Sequence, residues 1–261
     1  MYLKELLDRT VSAVEDVGHN NLLKLQALSK HQPVVKEIEK KGKDFLTNLD
    51  LVSHSLLSKK LRKIYPKIPI YSEEGKERIK RTRGKSLIID PLDGSINYFH
   101  QDVFWGLSVA LVKNSQTQLG VVYLPALKQL AGVTKTGDSF SRGDISLRVR
   151  KDRDIARAQI WLDWGKESKA VLLLFPRLGK VSLYPQIRLC CTASLLAVAG
   201  GKIAAYVHPN PEPEDIAAGC LIVEKAGGKV TDFEGNPWTP FSKSIVASNG
   251  LVHRQILEVL K

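Results

Sequence analysis

Cysteine is scarce in this chain: three residues in 261, of which Cys190 and Cys191 are neighbours and Cys220 stands alone. An odd, small number without metal-ligand spacing excludes a disulfide-stapled scaffold and a structural zinc finger, and leaves burial as small apolar residues the simplest role. Long apolar runs are missing too. No stretch approaches the roughly 18 residues of a membrane span, and the N-terminus, MYLKELLDRTVSAVED, carries acids where a signal peptide carries an apolar block. A cytoplasmic location, away from membranes, is therefore expected. Internal repeats and low-complexity segments are absent. With 43% hydrophobic and 25% charged residues the composition is that of a globular protein able to bury one large core or two smaller ones.

Acids are in deficit: 27 Asp and Glu against 39 Lys and Arg, a net charge of +12. The basic clusters are KEIEKKGK (36–43), KKLRK (59–63) and KERIKRTRGK (76–85). None is interleaved with the aromatics that stack bases, so solvated surface is the simpler reading and no specific nucleic acid is expected as a partner. A positive field still draws in small anions.

Residues 2 to about 29 place Leu3, Leu7, Val11 and Val14 on one helical face, and a second helix is predicted from about Asp50 to Lys63. The period then changes. IPIYS (68–72), SLIID (86–90), WGLSVALV (105–112), LGVVYLP (119–125) and QLAGVTKT (129–136) read as strands, several joined by short polar turns that suit antiparallel pairing. GDSFSRGD (137–144) reads as turn. Beyond it AQIWLD (158–163), VSLYP (181–185), KIAAYVH (202–208) and KSIVAS (243–248) alternate with helical stretches at 166–175, 190–200, 214–227 and 250–260. A soft boundary near residue 148 divides an α+β half, 1–148, from an α/β half, 149–261. No Pro/Gly linker separates them, so the halves are expected to pack as one compact unit.

The stretch IIDPLDGSINYFH (88–100) runs from an apolar strand into Asp90 and Asp93. Pro91 has no N–H to donate, so pairing is expected to stop there and the chain to turn. Asp93, Gly94 and Ser95 then begin a short helix, with Asp93 or its neighbour as cap, and the free N–H groups of its first turn make an anion site. Carboxylates beside an anion site suit Mg²⁺, because a hard cation takes oxygen ligands and shares them with phosphate. A strand end followed by a capped turn accounts for this stretch equally well. Two further acid pairs bear on the choice: Glu73 and Glu74 close the preceding strand in YSEEG (71–75), and Glu214 and Asp215 open a helix in PEPEDIAAG (211–219). Acids in a first helical turn also serve the dipole and the cap. Each pair is weak alone; in this order they are far more specific.

In that order the motifs resemble those of the inositol monophosphatase superfamily, Mg²⁺-dependent, lithium-sensitive phosphatases of small molecules. DFLTNLD (44–50) resembles its D-L-V-T-x-x-D segment, IIDPLDGSINYFH its first signature, GVVYLPALKQLAGVTKTG (120–137) the strand pair that follows, and DIAAGCLIVEKAGGKVTDFEGNPW (215–238) its second signature. The resemblance implies a layered αβαβα sandwich of the sugar-phosphatase type. It implies two or three Mg²⁺ ions, with Mn²⁺ as an alternative, on Glu73, Asp90, the Leu92 backbone carbonyl, Asp93 and Asp215. Phosphate would lie on Asp93, Gly94 and Ser95, with Asp50 and Glu74 beside a third metal or behind the ligands. The catalytic residues it implies are Glu73 and Ser95, which position and deprotonate the attacking water, and Asp90, which bridges the ions. Two cations about 4 Å apart offset the charge with which a phosphomonoester repels a nucleophile, and stabilise the leaving alkoxide.

Two positions depart from the family pattern: Ser95 stands for the usual threonine, and Glu214, on the substrate wall, for the usual tryptophan. A lysine that precedes the D-L-V-T segment in relatives has three candidates here, Lys40, Lys41 and Lys43. The activity implied is a phosphomonoester hydrolase of the inositol-1-monophosphatase type, acting on a phosphorylated polyol, sugar or nucleotide. The alternatives are a 3'(2'),5'-bisphosphate nucleotidase, a fructose-1,6-bisphosphatase and, from a different class, an inactive or nucleic-acid-binding relative. The retained acids argue against that last class, since a pure binder gains nothing from carboxylates facing a polyanion. Relatives often pair, so a homodimer is implied as well.

Overall fold

The computed structural model describes residues 2–28, 37–39, 45–75, 84–164 and 168–261. Asp44, the three candidate lysines, most of the cluster at 36–43, residues 76–83 and the start of the predicted helix at 166 lie outside the described residues. Helix α1 (Tyr2–Leu28) buries Leu7, Val11 and Val14 of the predicted face and leaves Leu3 half-buried. A short antiparallel pair, β1 (Glu37–Glu39) with β2 (Phe45–Thr47), leads into α2 (Asn48–Ile64). Then come β3 (Ile70–Tyr71), β4 (Lys85–Asp93), the short α3 (Ser95–Phe99), β5 (Gly106–Lys113), β6 (Gln116–Leu124), β7 (Gln129–Thr134) and β8 (Ser139–Arg142). The six strands from β3 to β8 form one sheet in chain order, with β3 parallel to β4 and every other pair antiparallel. Strand β8 falls where only a turn was expected. It is a short polar edge strand with one half-buried apolar residue, Phe140, too few to make an alternation.

The second half supplies β9 (Gln159–Leu162), α4 (Ser168–Gly179), β10 (Tyr184–Ile187), α5 (Cys191–Ala199), β11 (Ala205–Pro209), α6 (Pro213–Lys225), β12 (Lys229–Thr231), β13 (Ser244–Ser248) and α7 (His253–Leu260). Its five-stranded sheet has the order β10-β9-β11-β13-β12, parallel from β10 to β11 and antiparallel beyond. Strand β10 starts three residues later than VSLYP placed it, and the three-residue β12 was not foreseen.

Burial explains the layering. In β4 the side chains of Leu87 and Ile89 face α1 and α2, while Ile88 faces α5 and α6. A strand covered on both faces reads as a continuous apolar run, as LII does here. From the other sheet Trp161, Tyr206, Ile245 and Ala247 pack onto the same two helices, and Ile160, Leu162, Val207 and Val246 face α4 and α7. Every residue of α5 is buried, as a helix clamped between two sheets requires. The order of layers is α1/α2, six-stranded sheet, α5/α6, five-stranded sheet, α4/α7: the αβαβα sandwich. Helix α6 lies close on the six-stranded sheet because a side chain is missing where they meet: a Cβ on Gly120 of β6 would lie 2.7 Å from the Ala218 carbonyl oxygen of α6.

Candidate active site

Strand β4 does not stop at Pro91. Its ladder to β5 pairs Asp90 with Ser108 and resumes at Asp93 with Gly106, so Pro91 and Leu92 form a bulge, where a residue without an N–H is tolerated. The Leu92 N–H turns inward and donates to Asp90 Oδ1 at 3.0 Å, and the Pro91 carbonyl accepts from Ser53 Oγ at 2.6 Å. The bulge thereby aims two carboxylates of one strand at a single corner. Gly94 follows with φ of 81°, and a Cβ there would sit 2.8 Å from the Phe104 carbonyl oxygen, so glycine alone fits. Gly94, not Asp93, caps α3, and it offers no side-chain bond. The Asp93 carboxylate is used at a different helix: Oδ2 accepts the Thr192 N–H at 2.5 Å in the first turn of α5, and the Cys190 thiol at 3.2 Å. A corner built by the first half is thus docked on a helix N-terminus of the second.

Asp50 lies buried in the first turn of α2 and accepts from Ser95 Oγ at 2.5 Å. The same hydroxyl stands 3.0 Å from the Leu92 carbonyl, and its single proton serves one acceptor at a time. Glu73 and Glu74 follow β3, which runs parallel to β4, so both reach the same rim of the sheet as Asp90. Asp215, in the first turn of α6, accepts the Glu212 N–H at 2.7 Å and stands 4.0 Å from His208 Nε2. The Glu214 carbonyl accepts from Ser108 Oγ at 3.1 Å, tying α6 to β5 beside the corner.

The electrostatics show which acids converge. Burial drives the Asp90 carboxyl well above its usual range, and the charges of Asp93, Glu74, Asp215 and Glu73 push it further. Asp215 is raised first by burial, then by Glu214 and Asp93. Asp93 is raised by burial against the opposing hydrogen bonds from α5. Glu73, Glu74, Asp90, Asp93 and Asp215 therefore share one field, with Asp50 and Ser95 bonded to its Leu92 edge. Such a cluster keeps its protons unless a cation compensates it. The donors are carboxylate and carbonyl oxygens, which fits a hard divalent ion.

Two cysteines are more than filler. All three are buried, as expected, but Cys190 bonds Asp93 and the Cys191 thiol lies 3.6 Å from Asp163 Oδ2. Asp163, Cys191 and His208, none singled out from the sequence, come together next to Asp215. Asp163 and His208 sit at the carboxyl ends of the neighbouring parallel strands β9 and β11, and Cys191 opens α5. Strand ends in a strand-helix alternation are where ligands collect, and that was the available signal.

Known proteins share this architecture. The profile of the inositol monophosphatase family matches residues 8–261. A Thermotoga maritima protein named fructose-1,6-bisphosphatase/inositol-1-monophosphatase is 32% identical, over 97% of this chain and 95% of its own. The Nus factor SuhB of Escherichia coli is 29% identical over 97% and 94% respectively. The structure of the extragenic suppressor protein SuhB from Bartonella henselae superposes with a TM-score of 0.88 at 25% identity, covering 98% of both chains. With the layers, the corner and the match over nearly its whole length, this chain belongs to the inositol monophosphatase family, divalent-metal-dependent phosphatases that act on phosphate esters.

Proposed function

We propose that the chain is a Mg²⁺-dependent phosphomonoesterase of the inositol-1-monophosphatase type. The observation that carries the reading is the shared field of Asp90, Asp93, Asp215 and Glu73, which raises the buried Asp90 carboxyl far from its usual range beside the Gly94–Ser95 turn. In this reading Glu73, Asp90, the Leu92 carbonyl, Asp93 and Asp215 hold Mg²⁺. Bound there, the ions offset the phosphate charge and make a water more acidic. The chain's own residues do the rest. Asp50 holds the Ser95 hydroxyl proton, which leaves the Oγ lone pairs facing the site. Ser95 and Glu73 then orient the attacking water and take its proton. The amides of Gly94 and Ser95 donate to the phosphate oxygens. Asp93 keeps one orientation because α5 grips it. Asp215 lies where the leaving group departs, with Glu214 on the wall beside it.

Inositol 1-phosphate is the first choice of substrate, with fructose 1,6-bisphosphate and adenosine 3',5'-bisphosphate behind it. The name of the Thermotoga relative supports the first two. Phosphate release from all three, with and without Mg²⁺, ranks them in one experiment; no release from any removes the reading. A homodimer belongs to it as well: Leu172 and Leu173 on α4, with Leu183 and Tyr184 at the β10 edge, are 52–71% exposed, apolar surface that a second copy would cover. Sedimentation of the full chain tests this, and a monomer at all concentrations sinks it. The name of the Escherichia coli relative and the net charge of +12 favour a second reading, association with nucleic acid. A salt-dependent RNA gel shift would support that role, and the absence of a shift would remove it.

A further inference from the structure

Among the described residues one buried cluster mixes oxygen, sulfur and nitrogen donors. Asp163, Cys191 and His208 each present a ligand atom, all within 4.8 Å of one another, and their exposures are 6%, 5% and 2%. We propose that these three residues form a second metal site, for a borderline-soft divalent cation such as Zn²⁺, distinct in donor chemistry from the all-oxygen corner beside it.

The surroundings orient each ligand. The Pro209 carbonyl can only accept, so the 3.1 Å contact from His208 Nδ1 places the imidazole proton on Nδ1 and leaves Nε2 with the lone pair that a metal requires. Histidines that bind metals commonly donate their second ring N–H to a carbonyl in this way. Tyr206 donates its hydroxyl to Asp163 Oδ2 at 3.1 Å, steadying the carboxylate. Cys191 opens α5, and burial beside Asp163 pushes its thiol up, so it keeps its proton until a cation is bound. Its thiol now points to the same carboxylate oxygen at 3.6 Å. On binding, the ion takes the place of that thiol proton, which leaves to solvent.

The charges then balance: one carboxylate, one thiolate and a neutral imidazole against a divalent ion. A neutral complex can stay buried, where a carboxylate and a thiolate together could not. Two ligands stand on adjacent parallel strands and the third on a fully buried helix, so the site is held by rigid elements. From the 4.8 Å limit a contraction of at most about 1 Å reaches the spacing of tetrahedral zinc ligands. Three protein ligands leave a fourth position open, and Asp215 Oδ2, 4.0 Å from His208 Nε2, lies in the neighbourhood.

The test uses the full chain, stripped with EDTA, returned to excess Mg²⁺ and titrated with Co²⁺. One equivalent should bind with a thiolate-to-cobalt absorption in the near ultraviolet, and Zn²⁺ should displace it. Cys191→Ser should abolish the absorption, while Cys190→Ala and Cys220→Ala keep it. Asp163→Asn, nearly isosteric, should weaken Zn²⁺ at least tenfold, which tests the site without touching the sulfur. No absorption in the parent chain, absorption retained in Cys191→Ser, loss in Cys190→Ala alone, or unchanged Zn²⁺ affinity in Asp163→Asn would each overturn the site. The absorption is read without substrate, so failure to release phosphate leaves it standing.

Discussion

The acid corner and the Asp163–Cys191–His208 cluster are neighbours built on one plan from different donors. Each gathers side chains at the carboxyl ends of strands and is completed by α5, whose Thr192 N–H holds Asp93 while the adjacent Cys191 thiol faces Asp163. Half of the corner is contiguous in sequence, with Asp90, Leu92, Asp93, Gly94 and Ser95 along the β4 bulge and the start of α3, and Glu73, Glu74 and Asp215 join it from other elements. The cluster draws on three separate elements. The contrast teaches that shared placement on a sandwich does not imply a shared ion: oxygen donors select a hard cation, and a thiolate with an imidazole selects a softer one.

Asp90→Asn should separate the two sites most strongly. It removes the buried acid that the charges of Asp93, Glu74, Asp215 and Glu73 all act on, and Mg²⁺-dependent phosphate release should fall by about 10³-fold or more, while thermal unfolding stays equal or improves because the cost of ionising a buried acid is gone. An undiminished rate would end the assignment of the corner.

A histidine without a metal role sharpens the contrast. His253 is buried between Thr231 Oγ1 at 2.9 Å and Ser248 Oγ at 2.8 Å. Burial, with Lys229 nearby, lowers its pKa from 6.5 to about 4. Because the folded value is depressed, its contribution is complete above the unfolded value of 6.5 and is lost as pH falls through about 4. Denaturant titrations should lose about 2–3 kcal/mol over that window; the loss should shrink in His253→Asn, and an equal loss in that variant would clear the histidine.

Ser95 bears on the Asp50 pair. Ser95→Ala should cost about 10²-fold in phosphate release, with KM little changed, whereas Ser95→Thr should stay within about threefold of the parent, since it keeps the hydroxyl that Asp50 holds. Equal losses in both variants would show that shape rather than the hydroxyl matters.

The smallest effect is on stability. Asp90 and Asp215 have raised folded values, so without metal they favour the fold at low pH and this contribution is lost as pH rises through those values. Mg²⁺ at about ten times its Kd should restore about 1.4 kcal/mol at neutral pH and less in acid. Calorimetry showing the opposite pH trend would mean that the acids do not hold the ion.

The particular elements show why some of this could be read in advance. Leu7, Val11 and Val14 repeat at the helical period because one face of α1 is buried, and LII in β4 is continuous because both faces are. Strand β8 turns one residue, Phe140, to the core, too little to leave a trace in the pattern. Pro91 suggested a strand end; the strand instead passes through a bulge, since the missing N–H is tolerated where pairing already lapses. Asp93 or its neighbour was expected to cap α3; the neighbour, Gly94, holds that position, and the Asp93 carboxylate reaches α5, 99 residues away.

Hydrophobic periodicity and residue order were sufficient for the α/β class, the acids and their sequence along the chain, because these depend on local spacing and on turn chemistry; the layered sandwich was implied by the resemblance of the motifs to a known family. Partnership is a matter of three dimensions. That Asp50 holds Ser95, that α5 serves Asp93, and that a cysteine, a histidine and a third acid meet beside Asp215 follow from how two sheets close on one buried pair of helices. Burial and the low local dielectric then decide which of those groups keep their protons.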